Sequence, residues 1–183
     1  MIDELLTEAK TKMDQAIAHT VDEFSTVRTG RANPNLLNRI MVDYYGTQTP
    51  LQQIAGFAVP EARMLMVTPY DKSSIQAIEK AIMTADLGLN PSNDGNVIRL
   101  AFPQLTKERR RDLIRMVRHL AEEGRIAIRN VRRHIKDDIE ALEGDVSEDD
   151  VRRAEKTLQD MTDRHVHKVD ELLEKKEEEL LEV

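Results

Sequence analysis

The 183-residue chain contains no cysteine and no tryptophan, and aromatic residues make up only 3% of it. Without cysteine there is no disulfide, no thiolate nucleophile and no Cys-ligated zinc. Glycine (7) and proline (6) are scarce, at about half their usual combined share. That composition argues against a β-sandwich or an aromatic-lined cleft and for long aliphatic helices. No apolar run approaches the ~20 residues of a membrane span. The acidic, amphipathic start Met1-Ile2-Asp3-Glu4 reads as neither a signal nor a transit peptide. A soluble, cytoplasmic protein is the expectation. Charge is what the chain has in abundance: 33% of residues, against a typical ~25%.

The scarce residues are not spread evenly. All six prolines lie between Pro34 and Pro103, with five of the six aromatics (Tyr44, Tyr45, Phe57, Tyr70, Phe102). Proline breaks helices, so the Pro-free flanks and the Pro-bearing middle are two units, one inserted into the other. The predicted boundaries are 1–30 with 104–183 for the first and 31–103 for the second.

The flanks read as three helices. Ile2, Leu5, Leu6, Ala9, Met13, Ala16, Ile17, Phe24 and Val27 form one apolar stripe. Ile114, Val117, Ala121, Ile128, Val131, Ile135 and Leu142 hold a heptad with Gly124 on its seam, and Val151, Ala154, Leu158, Met161, Val169, Leu172 and Leu180 hold another. Gly144-Asp145 separates the last two helices, and Ser147-Glu-Asp-Asp150 matches a capping box. The expected fold is α+β: a long antiparallel three-helix bundle, discontinuous in sequence, with helices of about 39 residues, roughly 58 Å, carrying a small β/α/β domain. In that insert, strands are predicted at 40–45, 54–59, 64–68 and 97–102. One helix runs through Ile75, Ile78 and Ile82, capped by Ser73-Ser74 and stopped at Leu87-Gly88. Two short crossings, at Arg28, Gly30 and Arg31 and at Pro103, Leu105 and Thr106, favour a hinge over a rigid junction.

The net charge of −7 conceals a strong asymmetry. Residues 99–136 hold twelve Lys/Arg against four Asp/Glu, whereas 137–183 hold seven against eighteen. With Ile114 at heptad position a, the b and e positions from 111 to 136 are Arg111, Arg115, Arg118, Glu122, Arg125, Arg129, Arg132 and Lys136. The reading is one continuous exposed cationic band, flanked by Arg110 and Arg133. Arginine outnumbers lysine, and its planar fork suits phosphate. The competing reading is a face laced with salt bridges: in-stripe i,i+4 acids are few, and acids on the third helix could pair across the e positions, but the b positions face away from it. Seven phosphate contacts would give a log–log salt slope of roughly −5 or steeper.

No catalytic constellation is present, and neither a metal nor a cofactor is expected. His165 and His167, two apart on a helix, point away from each other; no phosphate loop or His-Glu-x-x-His motif occurs. Asn93-Asp-Gly-Asn96 reads as a turn before a strand.

Six strings now stand in order along the whole chain. They are Arg28-Thr-Gly-Arg-Ala-Asn-Pro34, Tyr44-Tyr-Gly-Thr47 with Thr49-Pro-Leu51, Glu79-Lys-Ala-Ile-Met83, Asp86-Leu-Gly-Leu-Asn-Pro91, Leu105-Thr106 with Glu108-Arg-Arg110, and Arg129-Asn-Val-Arg-Arg133. In these the chain resembles the bacterial ribosome recycling factors, departing slightly at Gln48, where that family often has proline. The resemblance implies an L-shaped, tRNA-like molecule that binds the post-termination ribosome through large-subunit rRNA. It implies that Arg129 and Arg132 contact that rRNA, and that elongation factor G, hydrolysing GTP, drives subunit separation. It also implies that the factor is no enzyme itself and that the small domain moves. The alternative is a coiled-coil scaffold or chaperone-like protein-binding module. Both apolar seams are committed to the bundle core, so a monomer is expected.

Overall fold

The computed structural model describes residues 1–182. The chain divides into two compact units, Met1–Arg28 with Lys107–Glu182, and Thr29–Thr106.

The first unit is three helices, α1 (Ile2–Ser25), α4 (Lys107–Glu140) and α5 (Glu148–Leu181), each packed against the other two. At 1.5 Å per residue the 34-residue α4 and α5 are each about 51 Å long, shorter than predicted. The core is made by Ala9, Met13, Thr20 and Phe24 of α1, Leu113, Val117, Ala121, Gly124, Ile128, Ile135 and Ile139 of α4, and Val151, Ala154, Leu158, Met161, Thr162, Val169 and Leu180 of α5.

This series corrects the heptad reading of α4. Ile114, Val131 and Leu142 are only half-buried, while Leu113 and Ile139 are fully inside. The seven buried α4 positions fit within an arc of about 80° on a straight helix of 3.6 residues per turn, and spread over about twice that at a strict 3.5. The seam follows a straight helix, and heptad letters therefore drift around it by ~20° per repeat.

Gly124 lets α1 and α4 approach closely. A methyl group placed there would overlap Thr20 Oγ1, with Thr20 Cβ and Cγ2 at 3.5 Å. Thr20 is itself buried and donates its hydroxyl proton to the Ala16 carbonyl at 2.9 Å. At the start of α5, Ser147 Oγ accepts from the Asp150 backbone N–H at 3.2 Å. The expected reciprocal bond is absent, because the Asp150 carboxylate takes the Ser147 hydroxyl proton instead, at 2.7 Å. A capping box needs the longer reach of Glu or Gln at that position.

The second unit is built on six short strands, two α-helices and two short 3-10 turns (Pro34–Leu37 and Lys72–Ser74). Strands β1 (Met41–Tyr44) and β2 (Thr47–Pro50) form a hairpin closed by Tyr45 (φ 50) and Gly46 (φ 80). Positive φ at both central residues is the type I′ geometry that matches strand twist. After the single turn α2 (Leu51–Ile54) come β3 (Ala55–Glu61), β4 (Met64–Pro69), α3 (Ile75–Thr84), β5 (Pro91–Asn93) and β6 (Ile98–Ala101). The last four strands make an antiparallel sheet of order β3-β4-β6-β5. Its core is Leu65, Val67, Ile98 and Leu100 against Ile75, Ile78 and Ile82, joined by Leu37, Val42 and Leu51.

Strands β2 and β5 escaped prediction because they are short, polar and contain proline. Pro91 opens edge strand β5, and Pro60 sits in the register shift of edge strand β3, the places where a missing N–H does no harm. Helix α3 ends at Thr84, before the predicted stop. Ser74, one of the two predicted serines, stands at the N-cap position of α3, but its side chain makes no capping bond there; the side-chain cap lies one turn earlier, where Asp71 accepts from the Ser73 N–H at 2.9 Å at the start of the 3-10 turn Lys72–Ser74.

Candidate nucleic-acid interface

Every residue of the predicted cationic band lies on α4, but the band is not uniform. Because the helix is straight, the e row (Arg111, Arg118, Arg125, Arg132) rotates toward α5 as it descends, and its next member is the buried Ile139. Arg111 is exposed and makes no ion pair or hydrogen bond among the described residues. The Arg118 side chain is 63% exposed and donates from Nε to Glu177 Oε1 at 2.5 Å. That of Arg125 is only 18% exposed and grips one Asp170 oxygen with Nε at 2.7 Å and Nη2 at 2.6 Å. Arg132 is half-buried and donates from Nε to Gln159 Oε1 at 2.6 Å; Gln159 in turn reaches Asp163 at 2.8 Å. Partners Glu177 and Asp170 step back seven residues on α5 as the arginines step forward seven on α4. The row is an antiparallel ladder between the helices. The expectation of one continuous exposed band is thereby corrected: toward the C-terminal end of α4 its e positions are interhelical ties.

The b row stays farther out. Arg115 is 81% exposed, with a loose contact to Asp112 at 3.9 Å. Arg129 is exposed and touches Glu122 Oε1 at 3.3 Å through one nitrogen. Lys136 pairs with Glu140 at 2.8 Å and reaches Glu155 of α5 at 3.9 Å. Arg133, just beyond this row, is exposed with no ion pair or hydrogen bond among the described residues. Arg110, in the first turn of α4, is half-buried.

The electrostatics follow the geometry. Glu177 holds the Arg118 guanidinium above its ordinary pKa. For Arg125, partial burial works against the charge, but Asp170 and Glu122 outweigh it and the net shift is also upward. Glu140 raises Lys136, and Lys136 lowers Glu140. Arg118, Arg125 and Lys136 therefore stay charged at neutral pH, and what separates the cations of the row is how firmly a carboxylate already holds them. Arg111, Arg115, Arg129 and Arg133 form the open set.

A further pair went unpredicted. His165 of α5 presents Nδ1 to the Met161 carbonyl at 2.7 Å and Nε2 to Asp14 of α1 at 2.8 Å. Lys10 and then His165 pull the Asp14 carboxyl below its usual range. Only the apposition of α1 and α5 reveals this contact, since the partners lie 151 residues apart.

At the crossings between units, Gly30 has φ 77, in the region that favours glycine, while Arg28, Arg31, Pro103 and Thr106 are exposed and Leu105 is half-buried. Among the described residues no group of three or more His, Asp or Glu side chains could hold a metal ion, and no helix is long and apolar enough to cross a membrane.

These features place the chain among α+β proteins built on an interrupted three-helix bundle. Residues 20–181 match the family model described as ribosome recycling factor. The chain is 57% identical to the ribosome-recycling factor of Acidothermus cellulolyticus and 52% identical to that of Bacillus subtilis, each alignment covering 100% of both chains. A solution structure of a ribosome recycling factor, 41% identical, superimposes with a TM-score of 0.79 over 100% of this chain and 98% of that one. A second comprises models for the T. thermophilus ribosome recycling factor and the E. coli elongation factor G bound to the E. coli post-termination complex. Its recycling factor is 46% identical, with a TM-score of 0.67 over 99% of each chain. The chain belongs to the ribosome recycling factor family, and its function is ribosome recycling.

Proposed function

We propose that the protein acts in the cytoplasm by binding the post-termination ribosome through large-subunit rRNA. Elongation factor G, hydrolysing GTP, then uses it to separate the subunits. The factor itself performs no chemistry. The observation that carries this reading is the open cation set on α4 in an otherwise acidic chain. The relative bound to the post-termination complex beside elongation factor G supports the partners.

In this reading the two ends of the band have different tasks. Arg111, Arg115, Arg129 and Arg133 clamp phosphates by charge-assisted bonds that read shape rather than sequence. Arg118, Arg125 and Arg132 keep α4 on α5, so that force on the bundle moves the bound RNA instead of bending the helix. Arg110 extends the cationic end. The acidic α5 repels RNA and leaves one docking face. The Gly30 and Pro103–Thr106 crossings serve as the pivot about which the second unit swings when the GTPase pushes it.

Binding of the full chain to large ribosomal subunits is the first test. Four principal phosphate contacts give a log–log salt slope of about −3 to −4, shallower than seven would. Subunit splitting, followed by light scattering, should require the factor, elongation factor G and GTP together. Salt-independent binding would remove the phosphate clamp. Because the chain has no cysteine, an engineered disulfide tethering the two units tests the pivot: splitting should stop while binding persists, and undiminished splitting would refute the swing.

A further inference from the structure

One position in the cationic row is not a cation. Glu122 stands at a b position where the pattern of Arg115, Arg129 and Lys136 calls for a positive side chain. Its two oxygens are divided between two arginines: Oε2 accepts from Arg125 Nη1 at 3.0 Å, and Oε1 accepts from Arg129 Nη1 at 3.3 Å. The two arginines differ in what else they hold. Arg125 is fastened to Asp170 through Nε and Nη2, so it stays in place whatever Glu122 does. Among the described residues Arg129 has Glu122 as its single partner, through one nitrogen and at the longer distance, on a side chain that is half exposed. Its Nε and Nη2 remain open.

A carboxylate on two guanidiniums presents the same chemistry as a backbone phosphate oxygen pair. We propose that Glu122 is an intramolecular stand-in for an RNA phosphate: it holds Arg129 in the free protein and yields it when a phosphate arrives. This rests on α4 being the rRNA-binding face. Glu122 is a positioning residue for that face and touches no RNA itself. It orients Arg129 toward the row, so the side chain is not lost to solvent, and it competes with the incoming phosphate. Affinity is thereby kept below what the cation count alone would give, which suits a factor that must leave the ribosome after each cycle. Glu122 and Arg129 are exposed, so their exchange requires no rearrangement of the core.

The test is a double-mutant cycle on the full chain, with purified large ribosomal subunits as the probe, at low and at physiological salt. Glu122→Gln keeps the side chain's size and a hydrogen-bond acceptor but removes the competing charge. It should tighten binding about two- to fivefold, the range of an exposed ion pair, with the gain shrinking as salt rises. In an Arg129→Ala background the same substitution should change the dissociation constant by less than about 1.5-fold. Glu123→Gln removes an equal charge from the neighbouring residue, whose partner is His119; it too should change binding by less than about 1.5-fold. Equal tightening with and without Arg129, or from Glu123→Gln, would reduce the effect to bulk charge and overturn the inference. Weaker binding from Arg129→Ala with no gain from Glu122→Gln would overturn it while leaving the proposed function intact. Binding indifferent to Arg129, to Arg133 and to salt would overturn both. Helical circular dichroism and the urea midpoint of Glu122→Gln should match the parent, since Asp170 still holds Arg125.

Discussion

Gly124→Ala offers the sharpest test of how the bundle is built. Alanine is the better helix former by about 1 kcal/mol, so an exposed site would gain from the change. At Gly124 the added methyl meets Thr20 Oγ1 inside van der Waals contact, with two further Thr20 atoms at 3.5 Å. Either Thr20 rotates and gives up its 2.9 Å bond to the Ala16 carbonyl, or α1 and α4 move apart. Overpacking of this kind costs about 1–3 kcal/mol, and a buried hydroxyl left unpaired about 1–3 more. Set against the propensity gain, the net loss is about 1–5 kcal/mol, read from urea unfolding followed by helical circular dichroism. Thr20→Ala removes the obstacle and leaves no polar group stranded, since the Ala16 carbonyl keeps its helical partner. In that background Gly124→Ala should be neutral or stabilising by up to about 1 kcal/mol, filling the space the threonine vacated. The coupling between the two sites should therefore be about 1 kcal/mol or more. Equal destabilisation in both backgrounds, or a stabilising Gly124→Ala in the parent, would refute close α1–α4 approach as the reason for glycine.

The cationic row yields an ordering. Arg125→Ala should cost about 1–2 kcal/mol in urea unfolding, because the side chain is 18% exposed and leaves Asp170 without its partner; Arg111→Ala and Arg133→Ala should stay within about 0.5 kcal/mol and instead weaken ribosome binding. The reverse ranking would show that exposure does not separate the two roles. A second prediction concerns the loop before β6, where the Val97 and Asn96 backbone N–H groups, with Arg99, hold the Asp94 carboxyl down to about 2 from 3.8. A depressed carboxyl contributes stability above the unfolded value and loses it as pH falls through the folded one. Amide protection of Asn96 and Val97 should therefore hold at pH 4 and above and fail toward pH 2. Asp94→Asn should abolish that pH dependence, and protection that fails near pH 4 in the parent would refute it.

The sequence made most of the fold legible through one physical contrast. Proline breaks long bundle helices, so the confinement of all six prolines to 34–103, with five of the six aromatics beside them, marks the inserted unit. Apolar periodicity marks α1, α3, α4 and α5, and turn chemistry at Asn93–Asn96 and Ser147 marks their surroundings. What stayed hidden has an equally physical cause. Strands β2 and β5 carry no apolar alternation, since each lies at a sheet edge and pairs through its backbone. His165 and Asp14 meet only after two helices are laid side by side.

The site was legible in residue type and hidden in angle. Heptad lettering put Arg111, Arg118, Arg125 and Arg132 on one line, as if each were equally open. A straight helix carries that line around by ~20° per repeat, so four letters that match in sequence occupy four different environments. The first is bare, the second meets Glu177 at the rim, the third is enclosed by Asp170 and Glu122, and the fourth packs on Gln159. Charge content alone thus overstates the docking surface. How open an arginine is depends on how well the next helix already satisfies it, and that depends on the register of α5 against α4, which no single-helix pattern contains. In the proposed function the same drift lets strength and binding share one face: the end of the row that turns inward braces the helix whose outward-facing cations are left to hold the ligand.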